Sequence, residues 1–239
     1  MARLLSFIVF LCWTTTASTQ QMTSTSPQDL ASHSAESKVI TTTDEENDEL
    51  YLLNKKVPAI LREDVAEVLS YFPELAETEI EFVLRNKINK SFMQAQPKWY
   101  GFFQSSKKRD YVIKISRHFQ LEDSSIPLEE IPREVRLGWL AHELGHIMDY
   151  QERNAFSLMG FGISYITSRK SMMEAERAAD VHAIHCNTGD LILHTKDFIL
   201  NYEGVPQVYR NKIEKYYMSA EDAMQIIEEI PQEVLSSEE

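Results

Sequence analysis

The sequence predicts an α+β fold, mostly helical, with a small antiparallel sheet set over one long central helix. Three observations carry this. From Pro132 almost to the end of the chain, apolar residues recur at helical spacing between short turn signals. Upstream, Tyr111-Val-Ile-Lys-Ile-Ser-Arg-His-Phe119 is dense in the β-branched and aromatic residues that suit a pleated, half-buried surface. Finally, 43% of the 239 residues are hydrophobic and 26% charged, a balance that supplies one packed core rather than a disordered chain.

The elements follow in order. Arg3 precedes an apolar run at 4–13, and small or hydroxyl residues follow, with Ala17 as a cleavage position. This is the layout of a secretory signal over residues 1–17. Uncleaved, it would act as a membrane anchor, although the run is shorter than the about 20 residues a bilayer span takes. Residues 18–50 are rich in Ser, Thr, Gln and acids, with too little apolar surface to offset the entropy of ordering. They read as a flexible acidic linker or pro-segment ahead of a folded domain at 51–239.

In that domain, residues 58–72 carry Ile60, Leu61, Val65, Val68 and Leu69 at helical spacing, and Pro73 stops the helix. Residues 77–85 repeat the helical spacing with Ile80, Val83 and Leu84. Residues 87–96 and 111–119 read as strands, joined through a polar turn at 104–110. Pro132 suits the first position of a helix running to about Arg153. The glycine-containing apolar stretch 156–166 reads as a buried helix or a wall of the active site. A strong helix at 171–186 ends in Asn187-Thr188-Gly189-Asp190, and shorter helices are expected over 191–201, 206–216 and 220–229.

Charge and cysteine content exclude some functions. A formal net charge of -13 argues against nucleic acid and anionic lipid as partners, since both are bound by clustered Lys and Arg. Of the two cysteines, Cys12 falls in the signal segment, so Cys186 alone remains for the folded domain. That leaves no internal disulfide and no cysteine-rich metal site.

The chemistry concentrates in His142-Glu143-Leu144-Gly145-His146. Histidines four apart on a helix stand one turn above the other on the same side, so both rings reach a single cation. Zinc is the natural ion for such donors, and Glu143, beside the first ligand, is placed as general base for a water. Trp139, Leu140, Leu144 and Ile147 give the helix an apolar face that anchors it in a core. A third ligand is needed. Glu176 and Asp180, four apart in Glu174-Ala-Glu-Arg-Ala-Ala-Asp180, share a face. Glu176 is the candidate ligand, and Asp180 the carboxylate that orients a ligand histidine. The small residues Ala175, Ala178 and Ala179 allow the two helices to pack closely. Asp149 and Glu152 are rival ligands, while His182 and His185 turn away from the Glu176–Asp180 face.

HELGH followed downstream by ERAAD resembles the gluzincin zinc peptidases, in which HtpX-like and CAAX-prenyl peptidases pair an HExxH helix with a later ExxxD helix. The resemblance covers roughly residues 111–186, and the lack of multiple membrane spans makes the small soluble minigluzincins the better comparison. It implies a zincin-like metallopeptidase domain. His142, His146 and Glu176 then hold zinc, Glu143 acts as base and acid, and Asp180 supports a ligand. It implies a peptide or protein substrate, and an edge of the sheet, taken as strand 111–119, that pairs with it. Tyr165, Tyr202, Tyr209, Tyr216 and Tyr217 are the candidates to stabilise the oxyanion. The expectation is an exported zinc metalloendopeptidase, secreted or periplasmic. The alternative is a zinc-binding scaffold or inhibitor module without turnover. Neither the natural substrate nor the oligomeric state is readable from these residues.

Overall fold

The long helix expected after Pro132 is the element around which the rest is arranged. The structure, a computed structural model, describes residues 49–88, 91–98, 100 and 108–230. The expected signal segment, and the linker or pro-segment up to residue 48, lie outside the described residues, as does the expected polar turn up to residue 107. Every described residue belongs to one compact unit, 46–239.

In chain order come β1 (Lys55–Lys56), α1 (Arg62–Ser70), β2 (Ile80–Arg85), β3 (Met93–Pro97), β4 (Tyr111–Ser116), β5 (His118–Gln120) and β6 (Ser125–Pro127). Then follow α2 (Arg133–Glu152), α3 (Ala155–Thr167), α4 (Arg169–Ala183), α5 (Gly189–Asn201), α6 (Gln207–Tyr216) and α7 (Ala220–Glu229). The class is α+β and mostly helical, as expected. The sheet differs from expectation. Its order is β1-β2-β4-β3, and β2 runs parallel to both β1 and β4, so only β3 pairs antiparallel, with β4. Parallel pairing follows from connectivity, because α1 carries the chain back between β1 and β2 rather than a tight hairpin. A separate antiparallel ribbon joins β5 and β6.

Residues 80–85 are strand β2, not the expected helix. The helical spacing leaves out Phe82, yet Ile80 and Phe82 are the buried pair, two apart, with Glu81 and Val83 less covered. Six residues between a 3-10 turn at Pro73–Leu75 and the next loop make a short strand, not a helix.

The helix α2 is buried along most of its length, with Leu137, Leu140, Leu144 and Ile147 in one core with Ile113, Ile115 and Met93 of the sheet. Pro132 caps its start rather than occupying its first turn. Near that start, the buried carboxylate of Asp64 on α1 accepts from Arg136 Nε at 2.7 Å and Arg133 Nε at 3.2 Å. At the other end, the buried Arg109 donates from Nη1 to the carbonyl oxygens of Tyr150 (2.8 Å) and Arg153 (3.4 Å). Arg153 O lies past the helix end and Tyr150 O otherwise accepts only the cap N–H of Arg153 at 3.3 Å, so a guanidinium there adds a partner and complements the helix dipole. Between the two clamps, glycines admit the neighbouring helices. A Cβ on Gly138 would lie 2.1 Å from Leu191 O, and one on Gly145 would lie 2.2 Å from Ala179 O. The motif helix is therefore held against α4, α5, α1 and β3 at once.

The stretch expected as a buried helix or a wall of the active site is helical, and much of it is exposed. In α3 only Leu158 is buried, whereas Phe156 is 88% exposed. Asn154 caps the start of α3 by accepting from Ser157 N, and Ser168 ends it and caps the start of α4 by accepting from Ser171 N. Among the described residues, no helix is long and apolar enough to cross a membrane.

Candidate metal centre

Two helices supply the site. α2 carries His142, Glu143 and His146, and α4 carries Glu176 and Asp180. Where they cross at Gly145 and Ala179, backbone approaches backbone, which brings the two carboxylates of α4 against the two rings of α2. The oxygen Glu176 Oε2 lies 3.2 Å from His142 Nε2 and 3.5 Å from His146 Nε2, and one donor atom from each of the three residues falls within 4.8 Å of the others. Asp180 Oδ1 lies 2.8 Å from His142 Nδ1, so that ring donates from Nδ1 and faces Glu176 with Nε2, the nitrogen that would give up its proton to a metal. All five residues are buried, none more than 7% exposed.

The donor set fits a metal ion. Four ligand atoms held about 2.0–2.1 Å from one tetrahedral ion stand about 3.3–3.4 Å apart. The carboxylate-to-imidazole separations here, 3.2 and 3.5 Å, bracket that edge. Electrostatics point the same way. Burial works against a charge on His142, but hydrogen bonds to Asp180 and Glu176 override it and lift the imidazole to about 10. Burial likewise opposes ionisation of Glu176 and Asp180. The hydrogen bonds of His142 to both, with His146 beside Glu176 and Lys196 beside Asp180, hold both carboxyls below their usual range. A pocket that keeps a proton charged in a buried setting attracts a divalent cation for the same reason. These buried His and Glu groups could hold a metal ion.

Glu143 is not part of the donor set. Its Oε2 accepts the backbone N–H of Ala95 on β3 at 2.5 Å, which tethers it beside the donors. Burial pushes its carboxyl upward, while His146, His142 and the Ala95 N–H pull the other way. That is the setting of a group able to take and return a proton.

The tyrosines divide. Tyr165 donates to Glu176 Oε1 at 2.5 Å, buttressing that carboxylate from α3. Tyr217 lies with its ring 5.3 Å from that of His142, and it lines a cavity of ≈ 30 Å³ with Tyr209, Glu143, Asp180 and Lys196. Burial and nearby carboxylates push Tyr209 and Tyr217 upward, so both keep their hydroxyl protons. Tyr202 is 42% exposed, and Tyr216 stacks with Lys215, so neither joins the site. Tyr150, not among the residues singled out from the sequence, stacks on His146 at 5.9 Å. Its spacing was the signal: it stands four residues after His146, on the same helix face.

The rival ligands stand apart. Asp149 is gripped by Arg153 (2.7 and 3.0 Å), and Glu152 is paired loosely with His182 at 3.8 Å. Asp149, Glu152 and His182 form a second, more exposed group of donors within 4.8 Å of one another. His185 bonds to the carbonyl of Val181, and Cys186 is a free, half-buried thiol. Strand 111–119 is not the edge expected to receive a peptide: β4 is paired on both sides, and the edge nearest the site is β3. Lys196 also went unmarked in the sequence, yet its Nζ donates to Asp180 Oδ2 at 2.8 Å. Its signal was a lysine on the buried stripe Ile192, Thr195, Lys196 and Ile199.

No protein-family model, no curated protein and no solved structure matches this chain.

Proposed function

We propose that the chain is an exported zinc-dependent endopeptidase of the gluzincin kind, acting on a peptide or protein substrate. The observation that carries this is the meeting of His142, His146 and Glu176 donor atoms beside a buried glutamate that is not one of them. Two imidazoles and one carboxylate form a ligand set typical of catalytic zinc, and pure metal storage has no use for the adjacent acid. When bound, zinc polarises the scissile carbonyl and lowers the pKa of a water towards about 7.

The chain's own residues do the rest. Glu143 takes a proton from the attacking water and returns it to the leaving amine, a use suited to a carboxyl raised by burial. Tyr217 and Tyr209, protonated at the cavity wall, are the donors best placed for a developing oxyanion. The edge strand β3 offers its outward groups at Met93, Ala95 and Pro97 to an extended peptide. The Ala95 N–H is bonded to Glu143, so a substrate carbonyl takes over that donor as Glu143 turns to the water. Export rests on the sequence of residues 1–17, Arg3 and its apolar run.

One observation favours the rival reading of a zinc-binding scaffold without turnover: every residue of the site is closed off from solvent. A single comparison separates the two. Zinc-loaded wild type and Glu143→Gln are incubated with a mixture of peptides, and cleavage is read by mass spectrometry. The expected result is equal zinc in both, with cleavage at least about 100-fold slower in the variant. Equal cleavage by both overturns the assignment of the base. One zinc per chain with no cleavage by wild type leaves the scaffold.

A further inference from the structure

From the arrangement behind His142 we infer that Lys196 is a positioning residue of the metal centre: it fixes Asp180 so that His142 is aimed at the ion. This rests on the zinc reading above. The two oxygens of Asp180 serve two partners. Oδ1 takes the Nδ1–H of His142 at 2.8 Å, and Oδ2 takes Lys196 Nζ at 2.8 Å. A carboxylate held at one oxygen turns about its Cβ–Cγ bond; held at both, it cannot. The orientation of the imidazole is then set from α5, two bonds away from the donor atom that faces the ion.

The burial of Lys196 supports a dedicated role. It is 5% exposed, on a helix face otherwise given to Ile192, Thr195 and Ile199, where an ammonium is costly unless paired. The Tyr217 ring lies over both members of the relay, 5.3 Å from the ring of His142 and 5.7 Å from Lys196 Nζ. A lysine serving only to neutralise Asp180 would repel the ion, and its removal would tighten binding. A positioning lysine gives the opposite sign.

The test is a double-mutant cycle on the full chain, with zinc affinity read by competition against a chelator and the cobalt-substituted absorption spectrum as a second readout. Lys196→Met, which keeps the apolar stem, is expected to weaken zinc binding about tenfold and to shift the cobalt bands. Lys196→Arg, which keeps a donor for Asp180 but adds bulk in a packed site, is expected to lose less affinity than Lys196→Met. On an Asp180→Asn background, Lys196→Met changes affinity little, because the lysine acts through the carboxylate that is gone. If Lys196→Met does not fold, Lys196→Gln takes its place in the cycle. Wild-type or tighter binding in the single variant, or fully additive losses in the double variant, overturns the inference. Absence of metal uptake by wild type itself overturns the zinc reading beneath it.

Discussion

At the scale of single residues, the site depends as much on what is missing as on what is present. Gly145 sits between Leu144 and the candidate donor His146, and a side chain there would meet the Ala179 carbonyl at 2.2 Å. The contact is backbone, so it cannot be relieved by rotating a side chain. Gly145→Ala is therefore expected to push α4 away from α2 and draw Glu176 off His146. The loss should be about 1–3 kcal/mol of stability, as for other overpacked sites, with weaker metal uptake. Denaturant midpoints and a zinc titration check this. Unchanged values for both would mean the crossing relaxes freely. The candidate donors that meet in the structure were legible in the sequence, because a four-residue interval on a helix fixes which side chains share a face. Lys196 was not, because nothing local tells a buried lysine with a partner on another helix from an exposed one. Only its place on an apolar stripe marks it.

Among the elements, α3 is one of three helices, with α6 and α7, that fully bury a single residue. Thirteen residues bury only Leu158 fully, and the helix is tied inward by Tyr165 to Glu176 and by Arg153 over the Phe161 ring at 4.1 Å. Local opening is easiest where few apolar contacts must be broken. Tyr165→Phe removes a hydrogen bond to a charged group, worth about 1.5–3 kcal/mol. Amide exchange across Ala155–Thr167 is expected to quicken by about tenfold or more, while α2 is unaffected; equal exchange in variant and wild type would show that the latch carries no energy. The sequence did predict the helix here, but not its exposure, because an apolar run is read as core by default. The opposite error befell residues 80–85, where spacing over so short a window fits both periods and burial of Phe82 decides. The last described helix, Ala220–Glu229, matches the expected span, and Ser219 caps it by accepting from Asp222 N.

For the whole molecule, the site spans elements distant in sequence. His142 and Glu176 are brought together by the crossing of α2 and α4, so an ion bound to both joins two parts of the core. Metal that binds only the folded state stabilises it by about 4 kcal/mol at a thousandfold excess over Kd. In a domain of this size, that corresponds to a melting temperature higher by about 10 °C. Stripping zinc with a chelator should lower it by that amount, and His146→Ala should erase the difference. Calorimetry with and without chelator measures both, and a melting point indifferent to metal in wild type would count against the centre. The sheet topology was the least legible feature at this scale. Strand propensity says which residues extend, but the parallel order β1-β2-β4 depends on where α1 and the later loops return the chain.

The tether between Ala95 and Glu143 has one more effect, on how these molecules behave towards one another. An open sheet edge invites other chains to add strands and is a common start of aggregation. Along β3 the outward positions are Met93, Ala95 and Pro97. Pro97 has no N–H to offer, and that of Ala95 is already given to Glu143. The edge is thus shielded against polymerisation at concentration, and a chain that adds to it must displace the carboxylate first.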